Sequence, residues 1–327
     1  MPSRDDLLTT DVAHAAEALR RGGLVAIPTE TVYGLAADAR QPAAVGRIFE
    51  IKGRPTGHPL IVHLGGDDAI DGWVGDVDET TAAGIDRLAD ACWPGPLTML
   101  VPRGRHVIDE VTGGRSSVGL RVPAHLLTLQ LIGMLGTGLA APSANRFGRV
   151  SPTTAQHVFD DLATLLDPSR DAILDGGPCP VGVESTIVDL TASPPQVLRA
   201  GAIGVDEVEA ILASPVAAAA GPSRASGMLA AHYAPDSEVV LVDNLTAADV
   251  EVSRRLAAGE RVRSLDRTDD LVLAARELYA DLRQADRDGL DALVVVLPPA
   301  AGLGHALRDR LFKAAAGSRR SPPSPAR

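Results

Sequence analysis

Aromatic residues are scarce in this chain, since only 3% of its 327 residues are Phe, Trp or Tyr. Hydrophobic residues still make up 45% of the sequence, so the core must be built from Ala, Val, Leu and Ile. Such a core suits helices packed on a sheet better than an aromatic-rich β-sandwich. At about 150 residues per domain, the length corresponds to two domains. The composition predicts a two-domain α/β protein and excludes a disordered or collagen-like chain.

Cysteine and long hydrophobic runs are also nearly absent. Cys92 and Cys179 form no CxxC pair, which argues against a disulfide framework or a zinc knuckle and favours a reducing compartment. The apolar run from Leu126 to Pro142 is interrupted by Gln130 and by glycines, and falls short of the ~20 apolar residues of a membrane-spanning helix. The first twenty residues lack the apolar stretch of a secretory signal. We therefore expect a cytoplasmic protein with no membrane association.

Positive charge is in deficit. The chain has 31 Lys and Arg against 42 Asp and Glu, a formal net charge of −11. An acidic surface repels phosphate groups over long range. Any anionic ligand must therefore be bound by a local group of cations.

The first two hundred residues predict helices mixed with short apolar strands. A helix from Val12 to Arg21 ends at Gly22, a strand covers Leu24 to Ile27, a loop rich in hydroxyl groups follows Pro28, and a second helix runs from Pro42 to Lys52. Apolar runs bounded by Pro or Gly predict further strands at 60–64, 97–101, 118–122, 139–141, 172–174, 186–190 and 197–198. These strands are too many for one simple doubly wound unit, so we expect a mixed sheet.

The composition changes after a predicted helix at 205–212. Residues 214–235 are rich in Ala, Ser, Pro and Gly, which is typical of a linker, and a βαβαβα series follows. We divide the chain into a mixed-sheet domain (1–205), a linker that could act as a lid (206–235), a small doubly wound domain (236–316) and a disordered tail (317–327).

The chemistry is not marked by a common motif, because the sequence has no P-loop, HExxH, GxSxG or GxGxxG. Cationic and hydroxyl side chains instead lie at or near the predicted strand ends, where an α/β sheet binds its ligands. They are Thr29, Thr31, Lys52, Arg54, His58, His63, Ser117, Arg121, Ser143, Asn145, Ser185 and Arg199. Together they indicate an anionic ligand.

Several of these side chains also have a purely structural explanation. Lys52 could complement the C-terminal dipole of its helix, and His63 could be a hydrogen-bonded core histidine. Ser151, before Pro152, has the position of a helix N-cap, and Glu184 could cap a turn. From the residues alone, the sequence supports an anion-binding α/β domain and nothing more specific.

The sequence resembles a known family through motifs that cover nearly all of residues 10 to 205. The strings PTETVYGLAADA (28–39), KGRPTGHPLIVH (52–63), WPGPLTMLVP (93–102), VGLRVPAH (118–125), APSANRFGRVSPT (141–153), GVESTIVDL (182–190) and VLRAG (197–201) resemble the YrdC-like domain and follow its order. The family's mark, KxR with SxN, is formed here by Lys52, Arg54, Ser143 and Asn145. The HYAP segment (232–235) and the small Rossmann-like domain resemble the long two-domain form, the L-threonylcarbamoyladenylate synthases.

This resemblance implies a YrdC-like catalytic domain that makes threonylcarbamoyl-AMP and pyrophosphate from L-threonine, bicarbonate and ATP, for the threonylcarbamoyladenosine modification of tRNA. It places Lys52, Arg54, Ser143 and Asn145 at the reaction centre. The implied threonine contacts are Thr31, His63, Arg121, Ala141 and Ser185. The implied ATP contacts are Arg54, His58, Ser117, Ser143, Ser151, Arg199 and, from the linker, Tyr233.

The resemblance also implies that a tRNA threonylcarbamoyl transferase machinery receives the product. Mg²⁺ is expected to arrive with ATP, held partly by its phosphates, and the sequence predicts no tightly bound protein metal. A weak contact with tRNA is also conceivable. Three alternatives remain open, and the number of matched substrate contacts argues most strongly against one of them, a nucleotide sensor. Carbamoyl transfer within a hydrogenase-maturation protein would require zinc-finger and acylphosphatase-like segments, and none is visible. A non-catalytic RNA-binding or ribosome-assembly module is opposed by the net charge of −11.

Overall fold

The computed structural model describes residues 3–66, 70–220 and 231–318. The chain divides into two compact units. The first comprises Met1–Phe147 and Ser151–Met228, and the second comprises Gly148–Val150 and Leu229–Arg327. Residues 221–230 of the predicted linker and 319–327 of the predicted tail lie outside the described residues.

The first unit contains a large mixed sheet. Its helices are α1 (Arg4–Leu7), α2 (Val12–Arg20), α3 (Pro42–Lys52), α4 (Glu79–Cys92), α5 (Asp109–Thr112), α6 (Leu126–Leu135), α7 (Ala155–Leu162) and α8 (Val205–Leu212). Its strands are β1 (Leu8–Thr9), β2 (Val25–Ile27), β3 (Gly34–Asp38), β4 (Ile61–His63), β5 (Leu97–Pro102), β6 (Ser117–Arg121), β7 (Leu139–Ala140), β8 (Ala172–Leu174), β9 (Thr186–Asp189), β10 (Gln196–Arg199) and β11 (Ala217–Ala218). Within the described residues the strand order is β1-β8-β2-β3-β7-β4-β6-β5-β9-β10-β11.

The centre of this sheet combines both strand directions. Strand β4 runs parallel to β6 and antiparallel to β7, whereas β5 runs antiparallel to β6 and parallel to β9. The carboxyl ends of β4 and β6 therefore lie at the same edge of the sheet as the amino ends of β5 and β9. The predicted mixed sheet is confirmed.

Helix α3 shows how local sequence positions part of the candidate site. Pro42 occupies the first turn, where its missing N–H is not needed, and Val45 and Ile48 bury the inner face of the helix. Gly53 ends the helix in the left-handed conformation at φ 61°, which glycine adopts without steric cost. The helix thus delivers Lys52 at its last turn, followed directly by the turn that carries Arg54.

The two faces of the sheet are covered differently. Helices α2 and α6 pack on each other and cover one face over β8, β2, β3 and β7, where Leu19, Ile27, Leu131 and Leu139 form an apolar cluster. The opposite face carries the larger core cluster, which includes Val62, Leu120 and Met99 together with residues of α3 and α4. Side chains alternate between the two faces along a strand. The residues that directly precede or follow Val62, Met99 and Leu120 on β4, β5 and β6 therefore lie on the same face as the α2–α6 cluster.

The second unit is a small doubly wound domain. It contains β12 (Glu238–Val242), α9 (Leu245–Ala257), β13 (Val262–Leu265), α10 (Leu271–Arg287), β14 (Ala292–Val296) and α11 (Leu303–Ser318). Its three described strands are parallel in the order β12-β14-β13. Ala248 of α9 packs against Val294 and Val296, whereas Leu278 of α10 and Leu307 of α11 line a small cavity with the alternate residue Val295. The helices lie on both faces, and the predicted fold class is confirmed.

One local prediction is wrong. The segment after Pro28 is not a loop throughout, because Gly34–Asp38 forms the completely buried strand β3. Its sequence, GLAAD, contains no β-branched or aromatic residue, so propensity gave no strand signal. The strand is stabilised by pairing with β2 and β7 on its two sides.

Candidate functional site

The candidate site lies on one face of strands β4, β6, β5 and β9. A Cβ atom placed on Gly119 would lie 3.3 Å from Ile61 Cγ1 and 3.4 Å from Thr98 Cγ2, so these three residues share this face. By the two-residue period of a strand, His63 and Arg121 also face this side. The face therefore presents an imidazole, a guanidinium and a hydroxyl group at one edge of the sheet.

Arg121 is held by neighbours on three sides. Its Nε donates to the carbonyl oxygen of Gly95 at 3.1 Å, and its Nη1 donates to Thr31 Oγ1 at 2.9 Å. Its Nη2 lies 2.7 Å from the Glu30 carboxylate in an ion pair in which both residues are almost completely buried. The hydroxyl of Thr31 is itself 2.8 Å from that of Thr29. A guanidinium fixed in this way can present its remaining N–H groups to a carboxylate.

His63 is a neutral imidazole beside this guanidinium. It pairs with Arg121 in the register of the parallel strands β4 and β6, and it is 4% exposed. Burial, reinforced by the charge of Arg121, lowers the pKa of His63 to about 3. Its Nδ1 has no hydrogen-bond partner among the described residues. A purely structural core histidine would have a hydrogen-bond partner for this nitrogen, so a structural role alone does not explain His63.

Ser185 precedes β9 at the same edge, and Arg199 holds it from the end of β10. Arg199 donates through Nε to the carbonyl oxygen of Ser185 at 2.9 Å and through Nη2 to its Oγ at 3.0 Å. The hydroxyl of Thr98 lies 2.7 Å from the same Oγ. Ser185 is thus a fixed polar group of the site, positioned by two neighbouring strands.

Lys52 binds the loop that carries the SxN residues. Its Nζ donates to the carbonyl oxygens of Ser143 at 2.6 Å and Asn145 at 2.5 Å, and only 2% of the residue is exposed. Lys52 therefore does not act as a solvated charge at the end of α3. Burial, followed by the neighbouring charge of Arg54, lowers the pKa of Lys52 well below its ordinary value. The KxR and SxN motifs are joined directly by these hydrogen bonds.

Arg54 adds positive charge close to Lys52, and His58 adds an imidazole ring. Arg54 donates through Nη2 to the carbonyl oxygen of Pro59 at 3.0 Å, and its Cζ lies 5.6 Å from the centre of the Phe147 ring. The His58 ring packs edge-on against the same phenyl ring at 5.4 Å. Burial lowers the pKa of Arg54 to about 10, and burial together with the charges of Arg54 and Arg115 lowers the pKa of His58. The Arg54 guanidinium, with the hydrogen-bonding nitrogens of Lys52 and His58 near it, suits a polyanion.

The predicted contacts fall at two ends of β4 and β6. His63 and Arg121 lie at the carboxyl ends, whereas Ser117 begins β6, about 13 Å from Arg121 at 3.3 Å per residue. Ala141 lies beside the amino end of β4, since its N–H donates to the carbonyl oxygen of Ile61 at 2.9 Å. The Arg54 and Pro59 contact precedes the same end of β4.

Two other predicted residues have different surroundings. Ser151 is not the N-cap of α7, because Thr154 caps that helix; its hydroxyl donates to Glu184 Oε1 at 2.6 Å. This bond links Ser151 to the residue before Ser185. Tyr233 belongs to the second unit, where its ring centre lies 5.6 Å from that of Tyr279 and 5.5 Å from Arg310 Cζ.

Sequence reasoning missed two polar residues of the site, Glu30 and Thr98. Glu30 stands between the two threonines of the string PTETVYGL, and a carboxylate there was a readable signal for a partner cation. Thr98 was hidden inside the apolar strand LTMLV, and only the strand register shows that it faces the site rather than the core. Within the described residues, no group of three or more His, Cys, Asp or Glu could hold a metal ion, and no helix has the length and apolar character needed to cross a membrane.

Comparison with known proteins gives matches along both units. Residues 17–201 match the family model described as telomere recombination, and residues 203–316 match that described as the threonylcarbamoyl-AMP synthase C-terminal domain. The threonylcarbamoyl-AMP synthase of Pyrococcus abyssi is 37% identical over 322 residues, which cover 92% of each chain. That of Bacillus subtilis is 36% identical over 340 residues, which cover 96% of each chain.

A solved structure agrees with these matches. The crystal structure of P. abyssi Sua5 complexed with L-threonine superposes with a TM-score of 0.86 at 35% identity and covers 94% of both chains. The family resemblance seen in the motifs is thus confirmed over nearly the whole length. This chain belongs to the threonylcarbamoyl-AMP synthase family, in the form that carries both the YrdC-like and the C-terminal domain.

Proposed function

We propose that this protein is a nucleotidyltransferase that forms threonylcarbamoyl-AMP and pyrophosphate from L-threonine, bicarbonate and ATP. The observation that carries the proposal is that two anion-binding groups lie near opposite ends of the central strands. Arg121, His63 and Ser185 lie at one edge of the central strands, and Lys52 and Arg54 lie towards the other. The first group fits an amino acid carboxylate and the second fits a triphosphate. Full-length relatives named threonylcarbamoyl-AMP synthase support the assignment.

At the amino acid end, Arg121 would bind the carboxylate of threonine as a fork, which a lysine could not reproduce. Thr31 and Ser185 supply hydroxyl groups beside it. Neutral His63 leaves the amine of threonine without a competing positive charge from the ring. The remaining implied threonine contact is the backbone of Ala141, which lies beside the amino end of β4; because its N–H is bonded to β4, its carbonyl oxygen would make this contact. These assignments follow the family motif residue by residue.

At the nucleotide end, Arg54 and His58 would contact the phosphate groups, with Lys52 holding Ser143 and Asn145 in place. The other proposed ATP contacts are Ser117, Tyr233 of the HYAP segment, and Ser151 and Arg199, which lie beside Glu184 and Ser185. Mg²⁺ would arrive with ATP, held mainly by the phosphate oxygens. When bound, it would neutralise charge on the phosphates.

The proposed reaction has two steps. The amine of threonine takes up bicarbonate, with loss of water, to give an N-carboxylate. One carboxylate oxygen then forms a bond to the α-phosphorus of ATP while the bond from that phosphorus to the bridging oxygen breaks, and pyrophosphate leaves with the electron pair. Catalysis of such a transfer depends mainly on positioning and charge neutralisation, which are the roles proposed for Lys52, Arg54 and Arg199.

The domain assignment is part of the proposal. We assign residues 1–205 to catalysis, 206–235 to a linker, 236–316 to a small domain and 317–327 to a tail, in a cytoplasmic enzyme whose product passes to a tRNA-modifying transferase. A non-catalytic RNA-binding module is not favoured, because the full-length relatives carry the name of a synthase.

The test is direct detection of the product. Purified protein is incubated with ATP, Mg²⁺, L-threonine and ¹³C-labelled bicarbonate, and the adenylate is identified by mass spectrometry before it hydrolyses. A threonylcarbamoyl-AMP mass that carries one ¹³C supports the proposal. A folded protein that yields no such species with all four components present would overturn it.

A further inference from the structure

The hydroxyl groups of Thr98 and Ser185 form a buried pair at the edge of the candidate site. Their oxygens lie 2.7 Å apart, Thr98 is fully buried and Ser185 is only 1% exposed. Arg199 Nη2 approaches the same Ser185 oxygen at 3.0 Å. The Ser185 oxygen is therefore bounded by two protein groups on neighbouring strands.

In the cluster of Thr98, Ser185 and Arg199, the hydroxyl hydrogens outnumber the acceptors available to them. A guanidinium can only donate, so Ser185 Oγ accepts from Arg199. The two hydroxyls carry two hydrogens, and one of them forms the bond between Thr98 and Ser185. Within the described residues, neither hydroxyl oxygen has a further hydrogen-bond acceptor. The cluster thus offers one hydrogen more than it can use.

The surplus hydrogen belongs on Ser185. If Ser185 donated to Thr98, the hydrogen of the fully buried Thr98 would have no acceptor among the described residues, and an unsatisfied buried donor is unfavourable. If Thr98 donates instead, Arg199 and Thr98 together fill both lone pairs of Ser185 Oγ. The hydrogen of Ser185 then points away from both of them. Ser185 lies at the edge of the sheet that also presents Arg121 and His63.

We propose that Thr98 is a positioning residue that, together with Arg199, makes Ser185 an obligate hydrogen-bond donor to an anionic oxygen of the bound amino acid. The carboxylate of the substrate is that oxygen, because Arg121 supplies charge for the same group. An ammonium group cannot take this position, since it has no lone pair to accept the hydrogen. This inference rests on the proposed function and extends it to a residue outside the predicted contacts.

The experiment measures the Kd of L-threonine by titration calorimetry and the KM of ATP, on the full chain. Thr98→Val keeps the shape of the side chain and removes the hydroxyl. It is expected to raise the threonine Kd about tenfold while the ATP KM changes less than twofold. Thr98→Ser restores the hydroxyl and is expected to bind threonine within about twofold of wild type. Thr112→Val removes another fully buried threonine hydroxyl, from α5, and should leave threonine binding unchanged.

A double-mutant cycle separates this role from a general packing effect. If Thr98 acts through Ser185, then adding Thr98→Val to Ser185→Ala should not weaken threonine binding further. Equal binding of threonine by wild type and Thr98→Val would overturn the inference, as would independent, additive losses in the cycle. A wild type that binds no threonine would instead overturn the proposed function itself, so the two failures are distinguishable.

Discussion

Glu30 and Arg121 form an almost completely buried ion pair, with 2.7 Å between Oε1 of the carboxylate and Nη2 of the guanidinium. Glu30 also accepts a hydrogen bond from the N–H of Ala124 at 3.1 Å, which ties it to the segment after β6. The carboxylate thus holds Arg121 from one side while Thr31 holds it from another. Glu30 positions Arg121 without belonging to any of the contacts that the family motif implies.

Replacing Glu30 with Gln should therefore weaken threonine binding. Removing one partner of a buried ion pair lowers the free energy of unfolding by about 3–5 kcal/mol. Glutamine retains a hydrogen bond to Arg121, so we expect a loss near the lower end of this range. We expect a threonine KM about tenfold higher with little change in the ATP KM. Urea unfolding and initial rates measure both effects. Glu50→Gln, at an exposed position, is the control, and an unchanged threonine KM in Glu30→Gln would contradict the assignment.

The low pKa of His63 predicts a dependence of stability on pH. The folded pKa of about 3 lies below the ordinary value of 6.5, so the unfolded chain binds a proton in this window while the folded chain does not. The free energy of unfolding should therefore fall as the pH drops below 6.5, by up to about 1.4 kcal/mol per pH unit from this group. His63→Gln should lose this component. Urea unfolding at pH 7.5 and pH 5 tests it, and the same pH dependence in wild type and variant would refute it.

Gly201 allows the chain to approach Ser185 closely. A Cβ atom there would lie 2.3 Å from the nitrogen of Thr186 and 2.6 Å from the carbonyl carbon of Ser185, which is closer than atoms can pack. The added methyl group should therefore displace Ser185 by about 1 Å, which is a large error for a group that positions a substrate. We expect Gly201→Ala to lower kcat/KM for threonine at least tenfold. Gly204→Ala is the matched control, since its Cβ would meet nothing within 4 Å. Equal activity of the two variants would show that the position of Ser185 is unimportant.

Asp309 compensates the charge of a buried arginine in the second unit. Its carboxylate lies 2.7 Å from Arg310, which is completely buried, and 2.7 Å from Lys313. Asp309→Asn should lower the free energy of unfolding by about 1–3 kcal/mol because these charged contacts weaken. Asp243→Asn, an exposed position, should change it little. Thermal or urea unfolding of the full chain measures the difference, and identical curves for the two variants would exclude this role.

Arg54 should be the most sensitive residue at the nucleotide end. Removing its guanidinium by Arg54→Ala should lower kcat/KM by two to three orders of magnitude, or about 3 to 4 kcal/mol of transition-state stabilisation. Arg170→Ala, which removes an exposed arginine paired only weakly with Asp167, is the control. Steady-state rates of adenylate formation, with circular dichroism to verify folding, make the comparison. Wild-type turnover by a folded Arg54→Ala would show that the assigned role is wrong.

Much of the fold could be predicted because short apolar runs between Pro and Gly mark the strands. Helix α3 begins at Pro42 and ends before Gly53, as its sequence predicts. Strand β3 was missed because tertiary pairing, rather than propensity, stabilises its Gly and Ala residues. Residues such as Glu30 and Thr98 could not be placed from spacing alone, because their roles depend on the register between distant strands.

The family motif located the candidate site more sharply than residue chemistry did. Charge and spacing gave only an anion-binding domain. What neither provided was the network inside the site, such as the Lys52 bonds to the carbonyl oxygens of Ser143 and Asn145. The N-cap explanation for Ser151 failed for the same reason, since Glu184 is 33 residues away in sequence. Long-range hydrogen bonds carry no local signal.

The most direct test of the account is pyrophosphate release from ATP by the purified full-length protein, measured with L-threonine and bicarbonate each present or omitted. The proposed reaction requires the N-carboxylate of threonine as the nucleophile, so release should occur only when both co-substrates are present. Release that proceeds equally without threonine, or no release from a folded protein with Mg²⁺ and both co-substrates, would contradict the central claim.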